Sequence, residues 1–217
     1  MSSKDLEVSV KDELLWDPKV DSKEVAISVD EGVVTLRGTV GSPRQKREAQ
    51  KDAERVWGVK SVKNELQVRI LDEFARDDAE LRGAVLQALM LDSLVPSTID
   101  AKVVDGWVRL TGTADWQFER EEAEFIASIV RGVVGVEDEI VLMTSAPFAS
   151  DVKHSIKKAL ERNARLDADN LSVDSDPNGL VTVSGTVGSW SEHDEAVAAA
   201  WAAPGVKRVD DRIFVEY

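Results

Sequence analysis

Two short stretches of this chain carry residue types that could bind an ion or a phosphate group. The first, DSDPNG at 174–179, begins like a calcium-binding loop, with side-chain oxygens at its first, third and fifth positions. Such a loop also needs a glutamate at its twelfth position to hold the ion with two oxygens, and Gly185 stands there. Because Asp and Asn followed by glycine are typical of tight turns, we interpret this stretch as a polar turn.

The second stretch, GVVG at 132–135, matches the GxxG loop with which KH domains hold an RNA backbone. Two similar stretches in the chain lack the second glycine and have Ser61 and Arg208 in its place. A glycine that ends a helix explains Gly132 without a ligand. The net charge is −14, and residues 72–145 hold 6 Lys and Arg against 16 Asp and Glu. Since nucleic acids require clustered cations, we predict no nucleic-acid partner.

Residues for covalent catalysis are scarce. The chain has no cysteine, which excludes disulfides, thiol nucleophiles and cysteine metal sites. Its two histidines, His154 and His193, are far apart in the sequence, and Ser191, His193 and Asp194 are too close together on one helix start to form a relay. We interpret both histidines as exposed helix residues, and we predict a protein that is not an enzyme and has no cofactor.

The elements that carry these residues come from a strand motif that occurs three times. The copies read GVVTLRGTV at 32–40, GWVRLTGTA at 106–114 and GLVTVSGTV at 179–187. Their alternation of apolar and polar residues predicts half-buried strands. A GVxxV motif begins 26 residues after the first glycine of every copy. Repetition at one fixed interval predicts a single supersecondary unit used three times.

Each unit is completed by further elements around the strand motif. An amphipathic helix and a short strand precede it, turn residues such as Asn178-Gly179 predict a hairpin, and a second helix follows. GVxxV then opens a third strand, which we expect over residues 63–69, 137–143 and 212–216. We therefore predict an α/β (α+β) fold of three tandem α-β-β-α-β units, each a three-stranded mixed sheet packed by two helices. The predicted domains span residues 1–71, 77–143 and 148–217.

The strand core Gly-x-Val-x-Leu/Val-x-Gly-Thr and the later GVxxV resemble the BON domain, a module named for bacterial osmotically inducible and nodulation proteins. The resemblance covers nearly the whole chain, three times. It implies the α-β-β-α-β fold and a non-enzymatic module linked to envelope stress, often with affinity for phospholipid. We therefore expect an osmotic-stress adaptor with an unknown protein partner. Two alternatives remain open: binding to anionic phospholipid membranes and, more remotely, sensing of potassium or another ion.

The start of the sequence, MSSKDLEVSV, lacks the apolar core of a secretory signal, and no stretch reaches the ~20 apolar residues of a membrane span. We expect a cytoplasmic protein, peripheral to the membrane where it binds lipid.

One candidate contact surface lies on the second helix of the first unit. Residues 42–65 hold seven basic side chains against four acidic ones. Cations near an anionic lipid surface each contribute on the order of 1 kcal/mol. We therefore predict that this helix would contact an anionic surface through Arg44, Lys46, Arg47 and Lys51.

A second candidate surface is an extra apolar face on the second helices of the later units. A unit with one sheet needs only one apolar helix face, so an additional one indicates an interaction surface. We favour packing of this face between the second and third units, so that the first unit would be less constrained by the other two. Binding of a partner chain is the alternative. The predicted residues are Phe125, Ile126 and Ile129 in the second unit and Ala198, Ala199, Trp201 and Ala202 in the third.

The tryptophans divide into two groups by their position in the units. We expect Trp57, Trp107 and Trp201 to lie in the core or in hairpins. Trp116 and Trp190 stand at helix starts, where we expect them to be exposed.

Overall fold

The computed structural model describes residues 2–70, 76–143, 152–163 and 170–217. Three α-β-β-α-β units, here called the first, second and third repeats, follow one another in these ranges, which confirms the predicted fold class. The first repeat consists of α1 (Ser3–Trp16), β1 (Val25–Asp30), β2 (Val33–Val40), α2 (Pro43–Arg55) and β3 (Ser61–Val68). The second consists of α3 (Asp78–Leu91), β4 (Asp100–Val104), β5 (Trp107–Ala114), α4 (Gln117–Ile129) and β6 (Gly135–Leu142). The third consists of α5 (Val152–Arg162), β7 (Leu171–Ser175), β8 (Leu180–Val187), α6 (Trp190–Trp201) and β9 (Arg208–Val215).

The repeats are grouped into two compact bodies. The first body holds the first and second repeats except residues 115–117 and Leu142, and the second body holds the third repeat together with those residues.

In each repeat the long strand lies at the centre of a three-stranded sheet. In the first repeat β2 is antiparallel to β1, with Val25 opposite Gly38, and parallel to β3, with Val33 opposite Ser61. The hairpin turns at Glu31 and Gly32, which both adopt positive φ angles (48° and 88°), as a tight two-residue turn requires. Because two parallel strands cannot be joined by a hairpin, α2 provides the crossover to β3.

Every repeat has a core of its own on the helix-covered face of its sheet. In α1 the buried residues are spaced by four, Leu6, Val10 and Leu14, and they pack with Val34 and Leu36 of β2. Full burial of one such side chain contributes roughly 1.5–3 kcal/mol. The second helices contribute small residues to the same cores, as the sequence predicts: Ala49 and Ala53, Ala123 and Ala127, and Ala196 and Ala200.

The glycine in the Gly-Thr pair of the strand motif has a structural role. Gly38 has a φ angle of 121°, and a Cβ atom on it would collide with the carbonyl oxygen of Glu24. Gly112 and Gly185 repeat both properties in the other two sheets. The motif therefore requires glycine here because the backbone of the central strand passes close to the backbone at the start of its hairpin partner. Only glycine occupies such a position without strain.

Candidate functional site

Large apolar side chains are exposed at the C-terminal end of the first helix in two of the repeats. In α1, Leu15 and Trp16 are 63% and 84% exposed, and in α3, Met90 and Leu91 are 85% and 79% exposed. We call these two pairs the apolar helix ends. In each helix they directly follow the last buried core residue, so they lie off the core face. The third repeat has Glu161 and Arg162 at the equivalent positions.

Trp57 extends the apolar end of the first repeat. The Arg55 side chain at the end of α2 lies 3.5 Å from Glu13 and 3.9 Å from Asp17, so the C-terminal ends of α1 and α2 are neighbours. Trp57, two residues beyond Arg55, is 62% exposed and lies at the same end of the repeat as Trp16.

Some of the positions predicted for the tryptophans are wrong. Trp57, expected in the core or in a hairpin, lies in the turn after α2 and is exposed. Trp107 lies in the hairpin of the second repeat, opposite Val104, as predicted, and its side chain is exposed. Trp116 and Trp190 are half-buried, and Trp190 packs against the third core, as does Trp201.

The four cations predicted to contact an anionic surface have different surroundings. Lys51 is exposed and Lys46 is half-buried. The guanidinium groups of Arg44 and Arg47 lie over the ring of Phe125, 5.8 Å and 5.3 Å from its centroid. Two of the four cations thus belong to a contact between the first two repeats.

Arg47 continues that contact with a hydrogen bond. Its Nη2 donates to Oγ of Ser128 at 2.9 Å, and this hydroxyl donates to the carbonyl oxygen of Phe125 at 2.7 Å. Ser128 is only 3% exposed. Helices α2 and α4 are therefore joined by two cation–π contacts and a partly buried hydrogen bond, none of which the sequence patterns predict.

The residues of the predicted apolar face are distributed as follows. Phe125 and Ile126 are half-buried, and Ile129 is 43% exposed. In the third repeat, Ala199 and Trp201 pack against their own core, whereas Ala198 and Ala202 are exposed. Phe125 is engaged by the first repeat, and packing of this face on the third repeat stays a prediction.

A cleft of about 330 Å³ lies between the start of α2 and the end of α4. Ser42, Arg44 and Ile70 line it from the first repeat, and Ile129 and Arg131 line it from the second. It brings together Arg44 and Ile129, one residue from each predicted surface. Guanidinium groups beside apolar side chains suit an anionic group that carries an apolar attachment.

One carboxyl group of α2 is buried. Asp52 is fully buried; its Oδ1 is paired with Arg55, and its Oδ2 has no hydrogen-bond partner within the described residues. Burial raises the pKa of Asp52 to about 6, with Arg55 opposing the shift and the charges of Asp17, Glu13 and Glu48 adding to it. The equivalent residues in the other repeats are Ile126 and Ala199, so the fold itself does not require a carboxyl group here.

The prediction that His193 is an exposed helix residue is wrong. Its side chain is 12% exposed, its Nδ1 lies 3.1 Å from Asp194 Oδ1, and its Nε2 lies 2.8 Å from Asp211 Oδ2. Its ring packs against that of Trp190, with the centroids 4.8 Å apart. Asp211 stands on β9, 18 residues further along the chain, so sequence proximity gave no sign of this pair.

The two stretches that resemble ion-binding and phosphate-binding loops, 174–179 and 132–135, have structural roles in turns and in sheet packing. Oδ1 of Asp176 accepts hydrogen bonds from the backbone N–H groups of Asn178 and Leu180, at 2.8 Å and 3.0 Å, as in a polar turn. Gly132 has a φ angle of 106° just after α4. Gly135 lies on β6 beneath the ring of Trp107, where a Cβ atom would collide with the indole. Ser61 and Arg208 replace Gly135 in the other sheets, where the residues equivalent to Trp107 are Val33 and Leu180.

The described ranges hold neither a cluster of metal-binding side chains nor a helix that could cross a membrane. No three or more His, Asp or Glu side chains are grouped there so as to hold a metal ion. None of the helices in those ranges is long and apolar enough to cross a membrane.

The sequence matches the BON domain over residues 2–70, 77–144 and 149–217. Osmotically-inducible protein Y of Escherichia coli (strain K12) is 35% identical over 146 residues, which cover 64% of this chain and 72% of that protein. Among solved structures, CdsD, a structural protein of the type III secretion system of Chlamydia trachomatis, matches with 14% identity and a TM-score of 0.27, over 96% of this chain and 91% of the solved one. The chain belongs to the BON-domain family and carries three copies of the domain in tandem.

Proposed function

We propose that this protein is a stress-associated, non-enzymatic binding module that acts as an adaptor and contacts a protein partner through its apolar helix ends. Membership of the BON family and the similarity to an osmotically inducible protein support the stress association. The observation that carries the adaptor role is the exposure of Leu15 and Trp16 on α1 and of Met90 and Leu91 on α3.

Exposed apolar groups of this size favour protein contacts for a physical reason. Burying one large apolar side chain contributes roughly 1.5–3 kcal/mol, and tryptophan is enriched among the residues that dominate binding energy. The third repeat has charged residues at the equivalent positions, Glu161 and Arg162. The adaptor surface therefore belongs to the first two repeats.

The test compares capture of proteins by tagged full-length chains from osmotically shocked cells. Trp16→Ser combined with Leu91→Ser should abolish capture of the specific partner, because each change removes an apolar anchor that lies outside the core. Glu161→Ser combined with Arg162→Ser is the matched control on the third repeat and should leave capture unchanged. Equal capture by the two double variants would contradict the adaptor surface.

The second candidate function is binding of anionic phospholipid, which the cleft between α2 and α4 favours. Arg44 and Arg131 line it beside Ile70 and Ile129, a combination that suits a phosphate headgroup attached to an acyl chain. Lys51 is exposed on the same helix as Arg44.

Co-sedimentation with phosphatidylglycerol vesicles at low and high salt tests this candidate. Arg44→Gln combined with Lys51→Gln should reduce binding, whereas Lys157→Gln, which removes an exposed cation of the third repeat, should not. No sedimentation at low salt, or equal loss in both variants, would exclude lipid binding at this cleft.

A further inference from the structure

The third strand of every repeat carries an Asn or Asp that ties the sheet to the second helix. Asn64 on β3 lies opposite Leu36, and Asp211 on β9 lies opposite Val183. The equivalent residue on β6 is Asp138. In each case the side-chain Oδ1 accepts a hydrogen bond from the backbone N–H two residues further on, at 3.3 Å, 3.0 Å and 2.9 Å respectively. That bond fixes the side chain, so its remaining polar atom is held toward the helix.

The helix partner occupies one equivalent position but differs in chemistry among the repeats. In the first repeat, Nδ2 of Asn64 donates to the backbone carbonyl oxygen of Lys46 at 2.8 Å. In the second, Asp138 pairs with the guanidinium group of Arg120. In the third, Asp211 Oδ2 faces Nε2 of His193 at 2.8 Å. This contact between strand and helix is thus a neutral hydrogen bond in the first repeat and an ion pair with a permanent cation in the second. In the third it depends on the protonation of a histidine.

His193 lies between two carboxylates, and this determines which protonation state suits the site. The charged groups that face its ring in the described residues are Asp194 from its own helix and Asp211 from β9. A neutral imidazole has one N–H and can donate to only one of them, whereas an imidazolium donates to both. In the neutral form, one ring nitrogen would present a lone pair to a carboxylate oxygen.

We propose that the contact between His193 and Asp211 is a pH-dependent clamp that holds α6 on β9 when the imidazole is protonated and weakens in alkali. Burial by itself would lower the pKa of His193, but the hydrogen bonds and charges of Asp194 and Asp211 outweigh it and raise the pKa above its ordinary value. A histidine whose pKa is raised on folding stabilises the fold fully below the unfolded pKa of about 6.5. That stabilisation is lost as the pH rises through the higher pKa of the folded state.

The clamp makes the stability of the third repeat depend on pH, whereas the equivalent contacts in the first and second repeats do not. Neither the amide of Asn64 nor the guanidinium of Arg120 changes charge between pH 6 and 9. Weakening of the clamp should therefore increase opening of α6 and β9 without a corresponding change in α4 and β6.

Hydrogen exchange of the full chain, followed by mass spectrometry from pH 6 to 9 and corrected for the intrinsic exchange rate, tests the clamp. Protection of peptides within 190–201 and 208–215 should fall as the pH rises. The fall should be tenfold for each unit by which the folded pKa of His193 exceeds the unfolded one. His193→Arg copies the second repeat and should make protection independent of pH, whereas His154→Gln should keep the wild-type pH dependence.

A second measurement keeps the proposal testable should the arginine variant fail to fold. The imidazole resonances of the full chain are titrated by NMR, and the signal of His193 is identified by its loss in His193→Gln. We expect a pKa above 6.5, and we expect Asp211→Asn, which copies the first repeat, to lower it. A His193 titration at or below 6.5, or wild-type pH dependence of exchange in a folded His193→Arg, would overturn the clamp.

Discussion

Replacing Asp52 by asparagine should stabilise the first repeat at neutral and alkaline pH. The folded protein raises the pKa of this carboxyl from its ordinary value of 3.8 to about 6. A carboxyl with a raised pKa destabilises the fold when it is charged, because ionisation costs more in the folded chain than in the unfolded one. Each pKa unit corresponds to about 1.4 kcal/mol, so the penalty amounts to about 3 kcal/mol once both states are ionised.

The sign of the effect defines the pH window of the experiment. Below pH 3.8 the carboxyl is protonated in both states, and the substitution should change stability little. The gain should grow as the pH rises from 3.8 to 6 and stay constant above that. Asparagine matches the shape of the protonated acid, and Arg55 keeps Glu13 and Asp17 as partners after the change.

Hydrogen exchange of peptides within 43–55 and 61–68 measures the free energy of opening of the first repeat in the full chain. At pH 8 the variant should show higher protection, by a factor on the order of 100 for 3 kcal/mol. Asp12→Asn, which neutralises an exposed carboxyl of α1, is the control and should stay within about 0.5 kcal/mol of the wild type. A loss of protection at pH 8, or a gain that does not depend on pH, would refute the assignment of Asp52 as a buried, penalised charge.

Three further predictions concern packing. Gly38→Ala should lower the melting temperature, because it adds a Cβ at a φ of 121° against a carbonyl oxygen and costs on the order of 1–3 kcal/mol; an unchanged melting temperature would contradict this. Gly135→Ser should displace Trp107 and shift the tryptophan emission spectrum, and a spectrum identical to that of the wild type would show that the ring does not rest on this glycine. Arg47→Ala and Phe125→Ala should be non-additive in denaturant unfolding, with a coupling energy of about 0.5–2 kcal/mol; strict additivity would mean that the contact between the first two repeats contributes nothing.

Much of the fold could be predicted because it depends on local patterns. The four-residue spacing of the buried Leu6, Val10 and Leu14 and the alternation of buried and exposed residues in β2 both depend on residues that are close in the sequence. The starts of the third strands are less well predicted: the sequence pattern predicts starts at residues 63, 137 and 212, and the strands start at Ser61, Gly135 and Arg208. Parallel pairing with the central strand sets those starts, with Leu180 opposite Arg208. Such pairing depends on a distant segment and not on the local alternation.

The candidate sites were harder to predict for the same reason. The prediction that His193 is exposed fails because its partner Asp211 lies on another element. The hydrogen bond from Arg47 to Ser128 joins two residues that are 81 positions apart in the sequence. The apolar helix ends can be predicted from the sequence. An apolar pair directly follows the last core position of the first helix in two repeats, and charged residues replace it in the third.

The two apolar helix ends lie on one compact body, so the proposed adaptor would be bivalent. A partner that offers two matching apolar segments would bind the second end as an intramolecular step, at an effective concentration set by the spacing of its segments. Avidity of this kind can exceed the affinity of either end by 10²–10⁴ without any new contact. A partner with a single segment would gain nothing from the second end. In the proposed adaptor, each end on its own would therefore bind weakly and exchange rapidly, while the pair would select partners by the spacing of their apolar segments.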